Sequence, residues 1–124
     1  MLPRVQKEVE QLLEEYPDTE IKKQPNGSIH IEIPNVPLPE WWNQSTTRLL
    51  IVLQPDYPNS RPTFFAEPTI RLKANNNPPA GSGLAAIEEK QWMSFCWNPS
   101  SWDLSRESLW KFVKFAQSRF LLQQ

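Results

Sequence analysis

Proline is the residue that most constrains this chain, with 13 prolines against only three glycines in 124 residues. Each proline fixes φ and removes a backbone donor, so this many in a folded chain imply long, ordered, non-repetitive connections. The hydrophobic fraction of 39% and the charged fraction of 22% are ordinary for a globular protein. A chain of this length can bury one core but not two, so we expect a single domain over residues 1–124.

Apolar residues recur at helical spacing near both ends of the chain. Pro3 suits the first turn of a helix, and Pro17 closes the first pattern. The apolar residues of this pattern are Leu2, Val5, Val9, Leu12, Leu13 and Tyr16. Near the other end, Asp103 or Ser105 can cap a helix by accepting hydrogen bonds from its first free amides. The residues that mark its buried face are Leu109, Phe112, Val113, Ala116 and Phe120. We therefore expect an amphipathic helix at each end.

Pro25-Asn26-Gly27 carries a hairpin signal, because Asn-Gly readily adopts the positive φ angles of a tight turn. Thr19 to Gln24 alternates weakly between apolar and polar residues, and Ser28 to Ile33 alternates cleanly. The two segments predict an antiparallel pair of strands. The isoleucines of the second segment share one face, so His30 lies on the opposite face.

Further strands are predicted in the middle of the chain. Thr46 to Leu53 has a continuous apolar centre, which predicts a strand covered on both faces at the centre of the sheet. Thr63 to Leu72 predicts another strand, interrupted at Pro68. Lys73 to Gln91 is expected to be a long loop. Helices packed against about four antiparallel strands make an α+β fold.

Cys96 is the only cysteine, and it follows this predicted loop. A lone thiol cannot form a disulfide within the chain, and by itself it cannot complete a structural zinc site. It is therefore either a small buried hydrophobe or a nucleophile. The segment from Phe95 to Trp102 has neither strand alternation nor helical spacing, so we expect a shaped loop, where functional groups tend to be displayed.

Charge and hydropathy argue against several classes of function. The formal net charge is -1 and the basic residues are scattered, so we expect no binding to nucleic acid. No glycine-rich nucleotide loop is recognisable, and we expect no cofactor and no metal ion. The longest apolar run, Leu49 to Leu53, is far shorter than the roughly 20 residues of a membrane span, and the N-terminus lacks the pattern of a signal peptide. We therefore expect a cytoplasmic protein that does not bind membranes.

The order of elements and three local motifs resemble the ubiquitin-conjugating enzyme fold. Tyr57-Pro58-Asn59-Ser60-Arg61-Pro62 is similar to the Tyr-Pro-x-x-x-Pro turn between the third and fourth strands of that family. The long segment before Cys96 resembles the one that leads to the family's active-site cysteine. Trp102, six residues further on, resembles the tryptophan that opens the next helix. The resemblance covers nearly the whole chain, and Phe95 to Trp102 is most similar to a prokaryotic branch found in bacterial ubiquitin-like conjugation systems.

This resemblance implies a function and a set of partners. Cys96 is expected to accept the C-terminus of a ubiquitin-like modifier from an activating enzyme as a thioester, and to pass it to an amine of a target protein. Arg4 and Lys7, on the first helix, are expected to meet the activating enzyme, although a solvated charged face is an adequate alternative. The bacterial systems suggest a place in antiviral defence. The chain departs from the family pattern in one respect, because it lacks the His-Pro-Asn triplet that usually precedes the active-site cysteine. Asn75-Asn76-Asn77 lies about twice as far upstream of the thiol as that triplet usually does.

The proposed chemistry makes modest demands on neighbouring residues. Thioester exchange needs no strong general base, because thiolates attack and leave about equally well. Asn98 could donate a hydrogen bond to the oxyanion formed during attack by an amine, or it could cap a turn. Asp103 could orient an incoming lysine, or it could cap the following helix. Trp97 and Trp102 could flank the thiol and hold it in position, and packing in the core explains the two tryptophans equally well.

Two other classes of function stay open. A cysteine hydrolase would require His30 to approach and activate Cys96. A non-catalytic binding module of the inactive-variant or RWD type would bury the thiol as packing. Three serines near the thiol could offer a hydroxyl nucleophile, but none has a recognisable base partner, so loop hydrogen bonding is the preferred role of Ser94, Ser100 and Ser101.

Overall fold

Two helices and a six-stranded antiparallel sheet make up the described part of the computed structural model, which covers residues 3–57, 59–79, 81–87, 89–95 and 108–121. In chain order the elements are α1 (Pro3–Glu15), β1 (Glu20–Lys23), β2 (Ile29–Pro37), β3 (Thr46–Leu53), β4 (Thr63–Ala66), β5 (Ser82–Ile87), β6 (Lys90–Phe95) and α2 (Leu109–Phe120). The strand order across the sheet is β1-β2-β3-β4-β6-β5. The predicted α+β fold is confirmed.

Helix α1 begins at Pro3, whose fixed φ suits the first turn, and it ends at Glu15, two residues before Pro17. Val5, Val9 and Leu12 are buried as predicted. Leu13 and Tyr16 are half-buried and pack against the same core. Leu2, which completed the predicted pattern, lies outside the described residues.

Strands β1 and β2 form the predicted hairpin. The backbone amide of Gln24 donates to the carbonyl of Ser28 at 2.8 Å, which closes the pair. Gly27 adopts a φ of +91°, a backbone conformation that residues other than glycine rarely adopt. The Asn26 side-chain oxygen accepts a hydrogen bond from the Ser28 amide at 2.9 Å and stiffens the turn.

Strand β3 is an inner strand with apolar cover on both faces, as its sequence predicted. On one face, the β3 residues Leu49, Ile51 and Leu53 belong to the core that also contains buried residues of α1 and α2. On the other face, Leu50 and Val52 pack with Trp92 of β6, and Phe65 and Ile87 cover them from the sides. The helices therefore lie on one face of the sheet, and a smaller apolar cluster lies on the other.

The long loop expected over Lys73 to Gln91 is wrong from Ser82 onward, where two strands form, and the expected count of about four strands becomes six. Residues 82–87 and 90–95 form an antiparallel hairpin, and Phe65 of β4 pairs with Ser94 of β6. Glycine and alanine give residues 82–87 a low strand propensity, so the local signal was weak. The pairing of β6 with β4 is a long-range contact, which local patterns do not reveal.

Two further boundaries differ from the prediction. Strand β4 ends at Ala66, before Pro68, so the strand expected to reach Leu72 is shorter. The N-cap of α2 is Ser108, whose side chain accepts a hydrogen bond from the Lys111 amide. The predicted caps, Asp103 and Ser105, lie outside the described residues.

The buried face of α2 agrees with its sequence pattern. The five residues predicted for it are all buried: Leu109, Phe112, Val113, Ala116 and Phe120. Trp42, from the connection between β2 and β3, donates its indole N–H to the Phe120 carbonyl at 2.7 Å. Within the described ranges, neither α1 nor α2 is long and apolar enough to cross a membrane.

Candidate functional site

The lone cysteine belongs to the connection between β6 and α2. Residues 96–107 of this connection lie outside the described residues, so the predicted roles of five residues remain predictions: Cys96, Trp97, Asn98, Trp102 and Asp103. The structure does describe both flanks. Strand β6 ends at Phe95, the residue before the thiol, and Ser108 caps the helix that follows. These two flanks are the frame of the candidate site.

Phe95 attaches the first flank to the aromatic core. Its ring stacks on Phe64 with centroids 5.1 Å apart and planes 17° apart, and it meets Phe120 edge-on at 5.6 Å. Phe64 in turn meets Phe112 at 6.0 Å. Offset-stacked and edge-to-face pairs are the favoured aromatic geometries. The residue that precedes Cys96 is therefore fixed to both β4 and α2.

Glu8 attaches the second flank. One carboxylate oxygen, Oε1, accepts a hydrogen bond from the Leu109 backbone amide at 2.7 Å and another from the Tyr57 hydroxyl at 2.9 Å. The other oxygen, Oε2, accepts from Arg4 Nε at 3.1 Å. Glu8 is only 8% exposed. A carboxylate at the first amide of a helix satisfies a free donor and interacts favourably with the helix dipole.

Tyr57 brings the Tyr-Pro-x-x-x-Pro turn into the same cluster. Burial raises the pKa of Tyr57 well above the ordinary tyrosine value, and the adjacent Glu8 charge and hydrogen bond raise it further. The hydroxyl therefore stays protonated and donates to Glu8. The tyrosine of the motif thus links the connection after β3 to α1 and to the beginning of α2.

A second polar contact joins the two helices nearer the surface. Lys114 Nζ donates to Glu15 at 2.6 Å and to the Tyr16 hydroxyl at 3.1 Å. The indole N–H of Trp110 also donates to Glu15. These hydrogen bonds, Lys114 first, hold the pKa of Glu15 below its usual value. Together with Glu8, this contact fixes α2 against α1.

The two cations predicted to meet a partner differ in their surroundings. Arg4 forms an ion pair with Glu8, and its side chain is 37% exposed. Lys7 is exposed on the outer face of α1. Lys7 is therefore the freer of the two to reach another protein, and Arg4 also serves the Glu8 cluster.

His30 lies on β2, between Lys22 of β1 and Val52 of β3. Three strand spacings separate β2 from β6 in the sheet. At about 4.8 Å for each spacing, the two strands are roughly 14 Å apart. A base must come within about 3 Å of the group that it deprotonates, directly or through a water molecule. The sheet therefore holds His30 far from the end of β6.

The other polar candidates have local structural roles. The Asn75 side-chain oxygen accepts from the Asn77 amide at 3.0 Å, and Asn76 adopts a φ of +58°. The three asparagines thus build a tight turn. Ser94 forms a hydrogen bond as expected, but from strand β6 and not from a loop: its hydroxyl donates to the Gly83 carbonyl at 3.3 Å. Within the described part of the chain, no cluster of three metal-ligating side chains occurs.

Glu8 is the residue that the sequence reasoning missed. Its signal was an acidic residue on the apolar side of a helix, three residues after Val5 and four before Leu12, with Arg4 one turn earlier. An acid at such a position requires buried partners. The sequence did not reveal that those partners are Tyr57 and the first amide of α2.

Comparison with known proteins adds one match. A family model described as Prokaryotic E2 family E matches residues 6–121, which is nearly the whole chain. The match confirms the resemblance to prokaryotic ubiquitin-conjugating proteins. No curated protein and no solved structure matches the chain.

Proposed function

Because the chain belongs to prokaryotic E2 family E, we propose that it is a ubiquitin-like protein conjugating enzyme whose Cys96 carries the modifier. One structural observation supports this proposal above the others. The connection that contains the only cysteine begins at Phe95, which is fixed in the aromatic core, and leads to Leu109, whose amide is held by a buried carboxylate. Such fixed flanks suit a thiol that must meet large protein partners in one geometry.

The reaction proposed for Cys96 has two steps. In the first, its thiolate attacks the thioester carbonyl on the activating enzyme, a new C–S bond forms, and the activating enzyme's thiolate leaves. In the second, an amine of the target attacks, a C–N bond forms, the Cys96 thiolate leaves, and the amine loses a proton to solvent. Asn98 is proposed to stabilise the oxyanion, and Asp103 to orient the amine. Trp97 and Trp102 are proposed to wall the thiol.

The partners follow from this reaction. They are an activating enzyme, a ubiquitin-like modifier and a target protein that offers an amine. Lys7 is proposed as the main contact of α1 with the activating enzyme because its side chain is exposed, with Arg4 as a neighbour. A thioester carrier needs a reduced thiol, which the bacterial cytoplasm maintains. A role in antiviral defence belongs to the same proposal.

Reconstitution tests the proposal. The protein is mixed with a candidate activating enzyme and a candidate modifier from neighbouring genes, plus ATP, and the products are read on non-reducing gels and by mass spectrometry. We expect an adduct that thiol reductants cleave and that Cys96→Ala abolishes. Ser94→Ala is the matched control, because Ser94 lies two residues from Cys96 and its hydroxyl donates to a backbone carbonyl, that of Gly83 on β5. A thiol-sensitive adduct that persists in the folded Cys96→Ala protein would contradict the assignment.

The two other classes are separated by simple measurements. A buried-cysteine binding module predicts that native Cys96 does not react with a maleimide, whereas the enzyme predicts a fast reaction. A cysteine hydrolase predicts ester hydrolysis that His30→Ala abolishes. The position of His30 on β2, roughly 14 Å from β6, argues against that class.

A further inference from the structure

The two edges of the sheet differ in how well they are protected from pairing with another chain. The edge strand β1 has four residues and carries Lys22 and Lys23, and charged residues discourage further pairing. The edge strand β5 has six residues and none of them is charged. Leu84 in its centre is 63% exposed. An uncharged edge of this kind is a template for an added strand.

The register shows which main-chain groups of β5 face this open edge. The Ser82 amide donates to the Pro79 carbonyl at 3.3 Å, so it points away from β6. Alternate residues of an antiparallel strand point their backbone groups to opposite sides. The amides of Leu84 and Ala86 therefore point away from β6 as well, and that of Ala85 points towards it. No described strand pairs with this side of β5.

One end of the open edge lies beside Phe95, the residue before the cysteine. Ser82, the first residue of β5, pairs with Phe95, and Cys96 is the next residue in the sequence. A strand added to β5 would lie two spacings from β6, which is about 10 Å. Three extended residues at about 3.3 Å each span that distance. A peptide with its C-terminus at the Ser82 end runs antiparallel to β5.

We propose that the open edge of β5 binds the extended C-terminal tail of the modifier as an added antiparallel strand, while the terminal carbonyl is joined to Cys96. This inference rests on the proposed function of Cys96. A tail must be extended for its last carbonyl to reach a thiol on another folded protein, and an extended main chain is what a sheet edge recognises. Main-chain hydrogen bonds supply the binding, and Leu84 supplies apolar contact.

The probe is a peptide of alternating threonine and alanine that ends in glycine, prepared as its 2-mercaptoethanesulfonate thioester. On loading, the Cys96 thiolate forms a C–S bond to the peptide carbonyl, the original C–S bond breaks, and the sulfonate thiolate leaves. Loading is followed by intact mass, and hydrogen exchange is followed at single amides. We expect slower exchange at Leu84 and Ala86 after loading, and no change at Ala85, whose amide already faces β6.

A variant tests the edge directly. Leu84→Pro removes an outward donor, and we expect loading at low peptide concentration to slow about fivefold, the equivalent of one hydrogen bond of about 1 kcal/mol. The matched control is Lys23→Pro on the other edge, whose amide also faces outward because the neighbouring Gln24 amide bonds to Ser28. Its loading rate should equal that of the unmodified protein. Leu84→Lys keeps the backbone donor but places a charge on the edge strand. Because charged residues discourage strand pairing, this variant should also load more slowly.

The outcomes separate the two proposals. If Cys96 loads but exchange at Leu84 and Ala86 is unchanged and both Leu84 variants load at the control rate, the edge proposal is wrong and the proposed function stands. If Cys96 of the unmodified protein takes up no acyl group, from either the peptide or the activating enzyme, the proposed function fails and the edge proposal falls with it. Slower loading in Leu84→Lys with protected amides supports the edge even if Leu84→Pro fails to fold.

Discussion

At the scale of single residues, Glu8 has the greatest influence on the candidate site. A buried carboxylate is costly unless its oxygens are hydrogen-bonded, and Glu8 meets this need with donors from three parts of the chain: Arg4, Tyr57 and Leu109. Hydrogen bonds to a charged group are about twice as strong as neutral ones. The same carboxylate thus stabilises the fold and holds the end of the connection that contains Cys96.

Replacing Glu8 tests this role. Glu8→Gln removes the charge and replaces one acceptor oxygen by an NH2 group, which cannot accept a hydrogen bond from the donor that faces it. We therefore expect the free energy of unfolding to fall by about 2 kcal/mol. Urea denaturation measures it. We also expect thioester formation at Cys96 to slow under conditions where the variant stays folded, because the beginning of α2 loses its anchor.

The matched control for this change is Glu10→Gln on the same helix. Glu10 is exposed, and among the described residues its side chain bonds only to Gln6. Its replacement should change the free energy of unfolding by less than about 0.5 kcal/mol. Equal losses for the two variants would show that the Glu8 cluster has no special role.

At the scale of elements, α2 is held at its beginning by two groups. The Leu109 amide donates to Glu8, and the Lys111 amide donates to the Ser108 hydroxyl at 3.3 Å. The first amides of a helix have no partner within the helix, so both bonds satisfy donors that would otherwise lack one. The beginning of α2 is also where the connection from Cys96 ends. Its stability and the geometry of the site are therefore linked.

Ser108→Ala removes the cap, and we expect a loss of about 1 kcal/mol in the free energy of unfolding. Ser118→Ala provides the comparison within the same helix. Its hydroxyl donates back to the Phe115 carbonyl and lies on the exposed side, so alanine should be neutral or slightly stabilising. Thermal unfolding followed by circular dichroism distinguishes the two. No loss of stability in Ser108→Ala would contradict the capping role.

At the scale of the whole molecule, one core unites the helices and the sheet. Its buried residues come from α1, from β2, β3, β4 and β6, and from α2. We therefore propose that residues 1–124 form one domain. The Glu8–Tyr57 hydrogen bond lies within this core, so the ionisation of Tyr57 is coupled to unfolding of the molecule.

This coupling predicts a dependence of stability on alkaline pH. The pKa of Tyr57 is raised in the folded protein, first by burial and then by Glu8, so its contribution is fully present below the unfolded value of about 10. Above that pH the unfolded chain loses the proton and the folded protein keeps it. Stability should therefore fall with rising pH, by up to about 1.4 kcal/mol per pH unit from this group.

Tyr57→Phe isolates the effect. At neutral pH this variant should be less stable than the unmodified protein, because Glu8 loses a donor. Between pH 10 and 12 its free energy of unfolding should fall less steeply. Urea denaturation at several pH values measures both slopes. Parallel curves across this range would rule out Tyr57 as the source of the dependence.

Some parts of the protein could be predicted from the sequence and others could not. The helix faces, the Asn-Gly hairpin and the buried strand β3 followed from periodicity and turn chemistry, which act between residues close in the chain. The β5–β6 hairpin was missed because its residues have weak local preferences and are stabilised by pairing with β4. The predicted roles of Cys96, Asn98 and Asp103 remain predictions, because these residues lie outside the described ranges.

The sequence by itself determined the spacing of the apolar residues, and through it the types of the elements. It also carried the family resemblance and the single cysteine that is the candidate nucleophile. Only the tertiary structure decided that Glu8 meets Leu109, 101 residues away, and that β5 is an edge strand that begins beside Phe95. The physical reason is distance along the chain. Local preferences are set by neighbouring residues, whereas buried polar contacts and sheet order depend on which distant segments pack together.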